Sequence, residues 1–158
     1  MENKRHSIRL YHRNYSQPGY YFVTIDSHKH QLLFGKIIKA DFIPNQIGKI
    51  LQKWLQNVPI KFPSVSIDSC QIMPNHVHLI ILISGLFCVR AIHESPTIEK
   101  RQLLPKIIGY FKMNSAKEAQ QQIWHRNYYE HIIRHKIELE KYRLYIRYNP
   151  KNSIYNQP

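Results

Sequence analysis

The stretch His76-Val77-His78-Leu79-Ile80-Ile81-Leu82-Ile83 constrains the fold of this chain more than any other. Five consecutive strand-forming apolar residues after the second histidine read as a buried central strand. Side chains alternate faces along a strand, so His76 and His78 point the same way while Val77 points into the core. Their side-chain roots then sit roughly 7 Å apart, close enough for both imidazoles to turn onto one metal ion. A rigid strand is a good platform for ligands that must not wander. The spacing also fits two polar residues at the rim of a sheet, and taken alone it does not choose.

The flanking sequence supplies the other elements. Pro74-Asn75 is a turn signal, with strand-like residues before it: Val65 and Ile67 alternate with polar neighbours, and Cys70-Gln71-Ile72-Met73 leads into the turn. Upstream, 20–25 reads as a strand and 31–38 as a second strand or hairpin arm. From Asn45 the period changes: Ile47, Ile50, Leu51, Trp54, Leu55 and Val58 follow helical spacing, bounded by Pro44 and Pro59. A surface loop is expected over 84–96. A second helix is expected from about 97, broken at Pro105 and firm over 106–121. The segment 123–134 ends as a strand, and 136–148 is a last helix that Pro150 stops at Asn149. This order predicts an α+β fold: a ferredoxin-like antiparallel sheet with helices on one face, plus an added C-terminal helix. It also divides the chain into an N-terminal arm over 1–16, one domain over 17–150 and a polar tail over 151–158.

Charge bears on the partner. The 158 residues carry 23 Lys and Arg against 10 Asp and Glu, a formal +13. Such an excess suits a polyanion, nucleic acid being the commonest, although ribosome-associated and lipid-surface proteins share it. Arg5, Arg9 and Arg13 lie in the arm, and Lys112 lies on a basic side of the second helix. Trp124, Arg126, Tyr128 and Arg134 mix rings with cations. Guanidinium and ammonium groups would hold phosphates while rings stack on unpaired bases. The polar N-terminus predicts no secretory signal, and no segment has the ~20 apolar residues of a membrane helix. Cys70 and Cys88 lack C-x-x-C spacing, which excludes a zinc ribbon and predicts free, buried thiols. The expected location is the cytoplasm, at the nucleoid.

Tyr145 and Asn149 stand four apart on the last helix and so share a face. If that face covers the histidine strand, two imidazoles and an amide oxygen form an open mixed N/O site suited to Mg²⁺ or Mn²⁺, with Zn²⁺ also admissible. The cation would polarise a phosphodiester, and Tyr145 would attack phosphorus. Equally, Tyr145 can simply pack and Asn149 can cap the helix.

Three motifs in order, Met73-Pro74-Asn75-His76-Val77-His78, the run from Trp124-His125-Arg126-Asn127 to Ile133-Arg134, and Tyr145-Ile146-Arg147-Tyr148-Asn149-Pro150, resemble the REP-associated tyrosine transposases. Those belong to the single-tyrosine HUH transposases of insertion-sequence type. Tyr15-Ser16-Gln17-Pro18-Gly19-Tyr20 and Leu33-Phe34-Gly35 extend the likeness over about residues 11 to 152. The resemblance implies a ferredoxin-like HUH domain that cleaves and rejoins single-stranded DNA beside a hairpin. It implies His76 and His78 as metal ligands, Asn149 as a third ligand, and Tyr145 as the nucleophile that forms a 5′-phosphotyrosine and frees a 3′-hydroxyl. It is compatible with a monomer or a homodimer. The chain departs from the family pattern at Asp26-Ser27-His28-Lys29-His30 and lacks a Trp after Asn149-Pro150, so the likeness carries the chemistry further than it carries hairpin recognition.

Overall fold

A computed structural model describes residues 17–85 and 103–152. Its centre is a four-stranded sheet of β1 (Gly19–Asp26), β4 (Val65–Ile72), β5 (His76–Ile83) and β6 (Tyr129–Ile133), in the order β4-β5-β1-β6. Every neighbouring pair is antiparallel. A separate hairpin joins β2 (Gly35–Ile38) to β3 (Asp41–Pro44). With the helices α1 (Gln46–Lys61), α2 (Leu103–Ala119) and α3 (Lys136–Asn152), the sheet strands follow a β-α-β-β-α-β path with α3 appended. This is the predicted α+β, ferredoxin-like arrangement.

The apolar run of β5 is explained by its position. It is a central strand, and both its faces are covered. Val77, Leu79, Ile81 and Ile83 join Val23 and Ile25 of β1 beneath Leu51, Leu55 and Val58 of α1 and Ile107, Ile108 and Phe111 of α2. On the other face Phe22, Ile80 and Ile133 meet Leu139 and Ile146 of α3. Burying each such aliphatic side chain contributes about 1.5–3 kcal/mol, so α3 is attached by a small core of its own. Asn45 caps α1 by accepting from the Gly48 N–H at 3.0 Å, and its side-chain amide donates to the Leu33 carbonyl at 2.9 Å. Gly48 is required by close approach: a Cβ there would lie 2.2 Å from the Phe34 carbonyl oxygen.

Several element boundaries differ from those read in the sequence. Pro59 lies inside α1, and Pro150 lies inside α3, which continues past Asn149 to Asn152. Each proline falls in the last turn, where only one helical hydrogen bond is forgone. Pro105 sits in the first described turn of α2, where its missing N–H costs little, and α2 ends at Ala119 rather than 121. Gln120 there takes a left-handed conformation, φ 53°. The segment 31–38 is a hairpin arm, extended only over Gly35–Ile38, and its partner β3 is an additional strand that the sequence pattern does not mark. Cys70 is exposed, because β4 is an edge strand. The predicted arm over 1–16, the loop over 86–96, the helix start over 97–102, Cys88 and most of the tail lie outside the described residues.

Candidate active site

The β4–β5 turn fixes where the histidines begin. Met73 N–H bonds the His76 carbonyl at 2.8 Å, while the Pro74 and Asn75 carbonyls accept from Phe34 N–H at 3.0 Å and Ser27 N–H at 2.9 Å. The turn is therefore held from outside as well as within. His78 lies opposite Thr24 of β1 and Gln71 of β4, and Thr24 lies opposite Tyr129 of β6. These side chains form one row across the sheet on the face that α3 covers.

The two imidazoles converge as the i, i+2 spacing predicts. His76 Nδ1 stands 2.7 Å from Asn75 Oδ1, an acceptor, which places the proton on Nδ1 and leaves the Nε2 lone pair free. His78 Nδ1 is 2.9 Å from the Thr24 hydroxyl, and the two Nε2 atoms are 3.1 Å apart. Burial pushes His78 down to about 3, with the adjacent His76 adding to the shift. Burial also lowers His76, opposed by Asp26 across the strand pair. Both rings are thus neutral at pH 7, the state that donates a lone pair to a metal. Nitrogens 3.1 Å apart suit neighbouring positions around one cation at about 2.1 Å. A partner on each far nitrogen, here Asn75 and Thr24, is the usual way a metal-binding histidine is oriented. The donor set fits a divalent ion.

Helix α3 brings in the tyrosine. The Tyr145 hydroxyl is 3.4 Å from His78 Nε2, longer than a normal hydrogen bond, and the two rings meet edge to face at 5.1 Å. Tyr145 is 48% exposed, so a substrate can reach it. Asn149 follows one turn later on the same face and is half-buried. Arg143 ties α3 to β4: its Nε donates to Asp68 Oδ2 at 2.9 Å and its second nitrogen pairs with Asp68 Oδ1. Asp68 sits at an irregularity in the β4–β5 register, between Ile67 and Ser69. Such bulges re-aim a side chain.

No protein-family model matches the chain. A Haemophilus influenzae protein named "Putative REP-associated tyrosine transposase" is 30% identical over 146 residues, an alignment spanning 89% of this chain and 74% of that protein. The chain belongs to the REP-associated tyrosine transposase family. An uncharacterized protein of the same organism is 36% identical over 158 residues, covering 92% of this chain and 88% of its own length. Among solved structures, a REP-associated tyrosine transposase bound to a REP hairpin superposes with a TM-score of 0.63 at 17% identity, over 92% of this chain and 74% of that one. At that identity the likeness establishes the fold.

Of the expected DNA-contacting residues within the described part of this family member, Lys112, Trp124, Arg126 and Tyr128 line one cavity of about 420 Å³ between α2 and the segment before β6, and Arg134 stands apart from them. Arg5, Arg9 and Arg13 lie outside the described residues. Trp124 is a correction: its ring is buried in the core beneath α2, and its indole N–H donates to the Ser115 hydroxyl at 2.9 Å. A buried ring whose N–H already has a partner is a packing residue. Lys112 donates to the carbonyls of His125 and Arg126 at 2.8 and 3.0 Å, tying α2 to the segment before β6. Arg126 is exposed and Tyr128 half-buried beside the same segment, whereas Arg134 is exposed at the opposite end of β6 from the histidine row. The sequence singles out neither Asn75 nor Thr24 as a site residue, and it marks Tyr129 only as part of the ring- and cation-rich segment 124–134 expected to contact DNA. Asn75 was visible as the neighbour of His76, but the other two join the site only through strand register.

Proposed function

We propose that this transposase-family chain nicks and rejoins single-stranded DNA at hairpin-associated sites, with Tyr145 as the nucleophile. The observation that carries this reading is the meeting of three groups at one point: the paired Nε2 atoms of His76 and His78 and the accessible Tyr145 hydroxyl. The resemblance of the motifs and the hairpin-bound structural neighbour support DNA hairpins as the partner.

His76 and His78 would hold a divalent cation, Mn²⁺ or Mg²⁺, with Asn149 as the third ligand from α3. Imidazole donors favour Mn²⁺, since Mg²⁺ prefers an all-oxygen shell. When bound, the ion polarises the scissile phosphodiester and offsets the charge that develops on its oxygens. The residues of the chain do the rest. Asn75 holds the His76 imidazole in the required tautomer, and Thr24 holds the His78 ring in orientation. Arg143 and Asp68 hold α3 over the sheet so that Tyr145 faces the phosphate. The Tyr145 oxygen forms a bond to phosphorus as the bond to the 3′-oxygen breaks. The phenol gives up its proton and the leaving oxygen takes one up, leaving a 5′-phosphotyrosine and a 3′-hydroxyl. Attack by another 3′-hydroxyl reverses these steps and reseals the strand.

The test is a covalent-adduct assay with labelled single-stranded hairpins from the DNA flanking the gene, with Mn²⁺ or Mg²⁺. A metal-dependent labelled protein band, absent in Tyr145→Phe while hairpin binding persists, is the expected result. Cleavage without a band would assign a water-using nuclease, and binding without either would assign a hairpin-binding protein.

A further inference from the structure

The departing 3′-oxygen needs a proton, and none of the groups assigned so far supplies it. In an in-line displacement the leaving oxygen stands opposite the attacking one across phosphorus. Phe22, Thr24 and Asp26 alternate onto one face of β1. Tyr145 sits toward the Phe22 end, its ring meeting Phe22 at 6.0 Å and His78 at 5.1 Å. His76 pairs with Asp26 at the other end. Beyond Asp26 comes the turn 27–31, part of the segment where the chain departs from its family's pattern.

That turn carries His30 and is tied down from several sides. Ser27 N–H donates to the Asn75 carbonyl at 2.9 Å, the Ser27 hydroxyl to the Gln31 carbonyl at 2.7 Å, and His28 N–H to the Ile123 carbonyl at 2.9 Å. Lys29 and His30 both take left-handed backbone, φ 52° and 56°. Non-glycine residues persist there only where the surroundings over-determine them, and such strain clusters at functional sites. His125, whose N–H donates to the Asp26 carbonyl at 2.9 Å, stacks its ring on His30 at 5.8 Å and 22°. The Asn127 N–H donates to His125 Nδ1 at 3.3 Å and fixes that ring in turn. Two features suit His30 to proton transfer. Its side chain is exposed, so it exchanges protons with water. It is also close enough to His76 to be felt there: burial lowers His76, Asp26 opposes this, and His30 adds to the lowering.

We propose that His30 donates the proton to the departing 3′-oxygen, with His125 as the positioning residue that holds its ring. The proposal rests on the reading of Tyr145 as nucleophile. The bond from phosphorus to the 3′-oxygen breaks with its electron pair left on oxygen. That oxygen takes a proton from the His30 imidazolium, and the neutral ring remains. In resealing, the neutral ring accepts the proton of the attacking 3′-hydroxyl. Histidine serves both directions because its charge changes near neutral pH.

The experiment compares two leaving groups. Single-turnover formation of the phosphotyrosine band is followed with the full chain and Mn²⁺, on hairpin strands carrying either the natural 3′-oxygen or a 3′-sulfur at the scissile linkage. A thiolate leaves without a proton, because thiols are far more acidic than alcohols. His30→Asn keeps a residue that tolerates left-handed backbone and removes the imidazole. It is expected to slow the oxygen substrate about 100-fold, the size of a lost general acid, and the sulfur substrate less than about threefold. His125→Ala should show the same contrast at about 10-fold, and His125→Phe, which keeps a ring to stack on, should behave as wild type. Equal slowing of both substrates by His30→Asn would assign the residue to folding or phosphate holding and overturn the proposal. A wild-type rate in His30→Asn would overturn it too, with the nicking reading left intact. No band from the wild-type protein on either substrate would remove the nicking reading and this proposal with it.

Discussion

Burial under α3 and the facing His76 ring together push His78 down to about 3, and this has a sign that can be measured. In the unfolded chain the imidazole titrates near 6.5. Between those values the unfolded state binds more protons, so this contribution to stability is present above about pH 6.5 and is lost as pH falls toward 3. For the metal-free protein, in chelator, about 1–2 kcal/mol should disappear between pH 6.5 and 5. The thermal midpoint should drop by a few degrees over that range, and His78→Asn should show a shallower drop. Identical pH profiles for the two proteins would mean that His78 is not held neutral. The paired histidines were legible in the sequence because an i, i+2 spacing on a strand leaves them one direction to face. Their partners were not equally legible. Asn75 is adjacent in the chain, but Thr24 is 54 residues away and becomes a neighbour only once β1 pairs with β5.

At the scale of elements, the placement of α3 decides whether Tyr145 meets the histidines. Leu139 and Ile146 supply its apolar contact, and the forked Arg143–Asp68 pair sets its orientation on β4. Arg143 is about one third exposed, so solvent screens the pair and its contribution to global stability is modest, about 1 kcal/mol. Its local effect is larger. In Asp68→Ala, amide exchange should accelerate along Lys136–Asn152 while β1 and β5 stay protected, and adduct yield should fall more than hairpin affinity. Unchanged exchange in α3 would assign the helix position to its apolar contacts alone. The existence of α3 and the shared face of Tyr145 and Asn149 were readable from helical spacing. Its end was not, because a proline in a last turn removes only one bond and is tolerated when the chain packs there. The β2–β3 hairpin escaped for a different reason. Its two-residue turn places Lys39 and Ala40 at φ 51° and 69°, where Asn or Gly would have announced it.

For the whole molecule the formal charge of +13 is the dominant long-range property. On the proposed reading it draws in a single-stranded polyanion, and counterion release then makes affinity depend steeply on salt. The slope of log affinity against log salt should be near −0.7 for each phosphate contacted, so a strand held at about five phosphates loses about 100-fold between roughly 50 and 200 mM salt. Fluorescence anisotropy with a labelled hairpin across that range measures it. A flat response would assign the charge to another purpose.

By itself the sequence determined the α+β order of elements, the buried central strand, the alternation that pairs His76 with His78, and the helical face shared by Tyr145 and Asn149. These are short-range properties, encoded in the period of apolar residues and in side-chain direction. Only the tertiary structure decided that Trp124 is a core ring and not a surface one, that Lys112 is engaged by backbone carbonyls, and that Thr24 and Tyr129 stand in one row with His78. Composition marks a residue as aromatic or basic, but which face it presents depends on strand register and helix docking. Those are set by contacts between segments far apart in the chain.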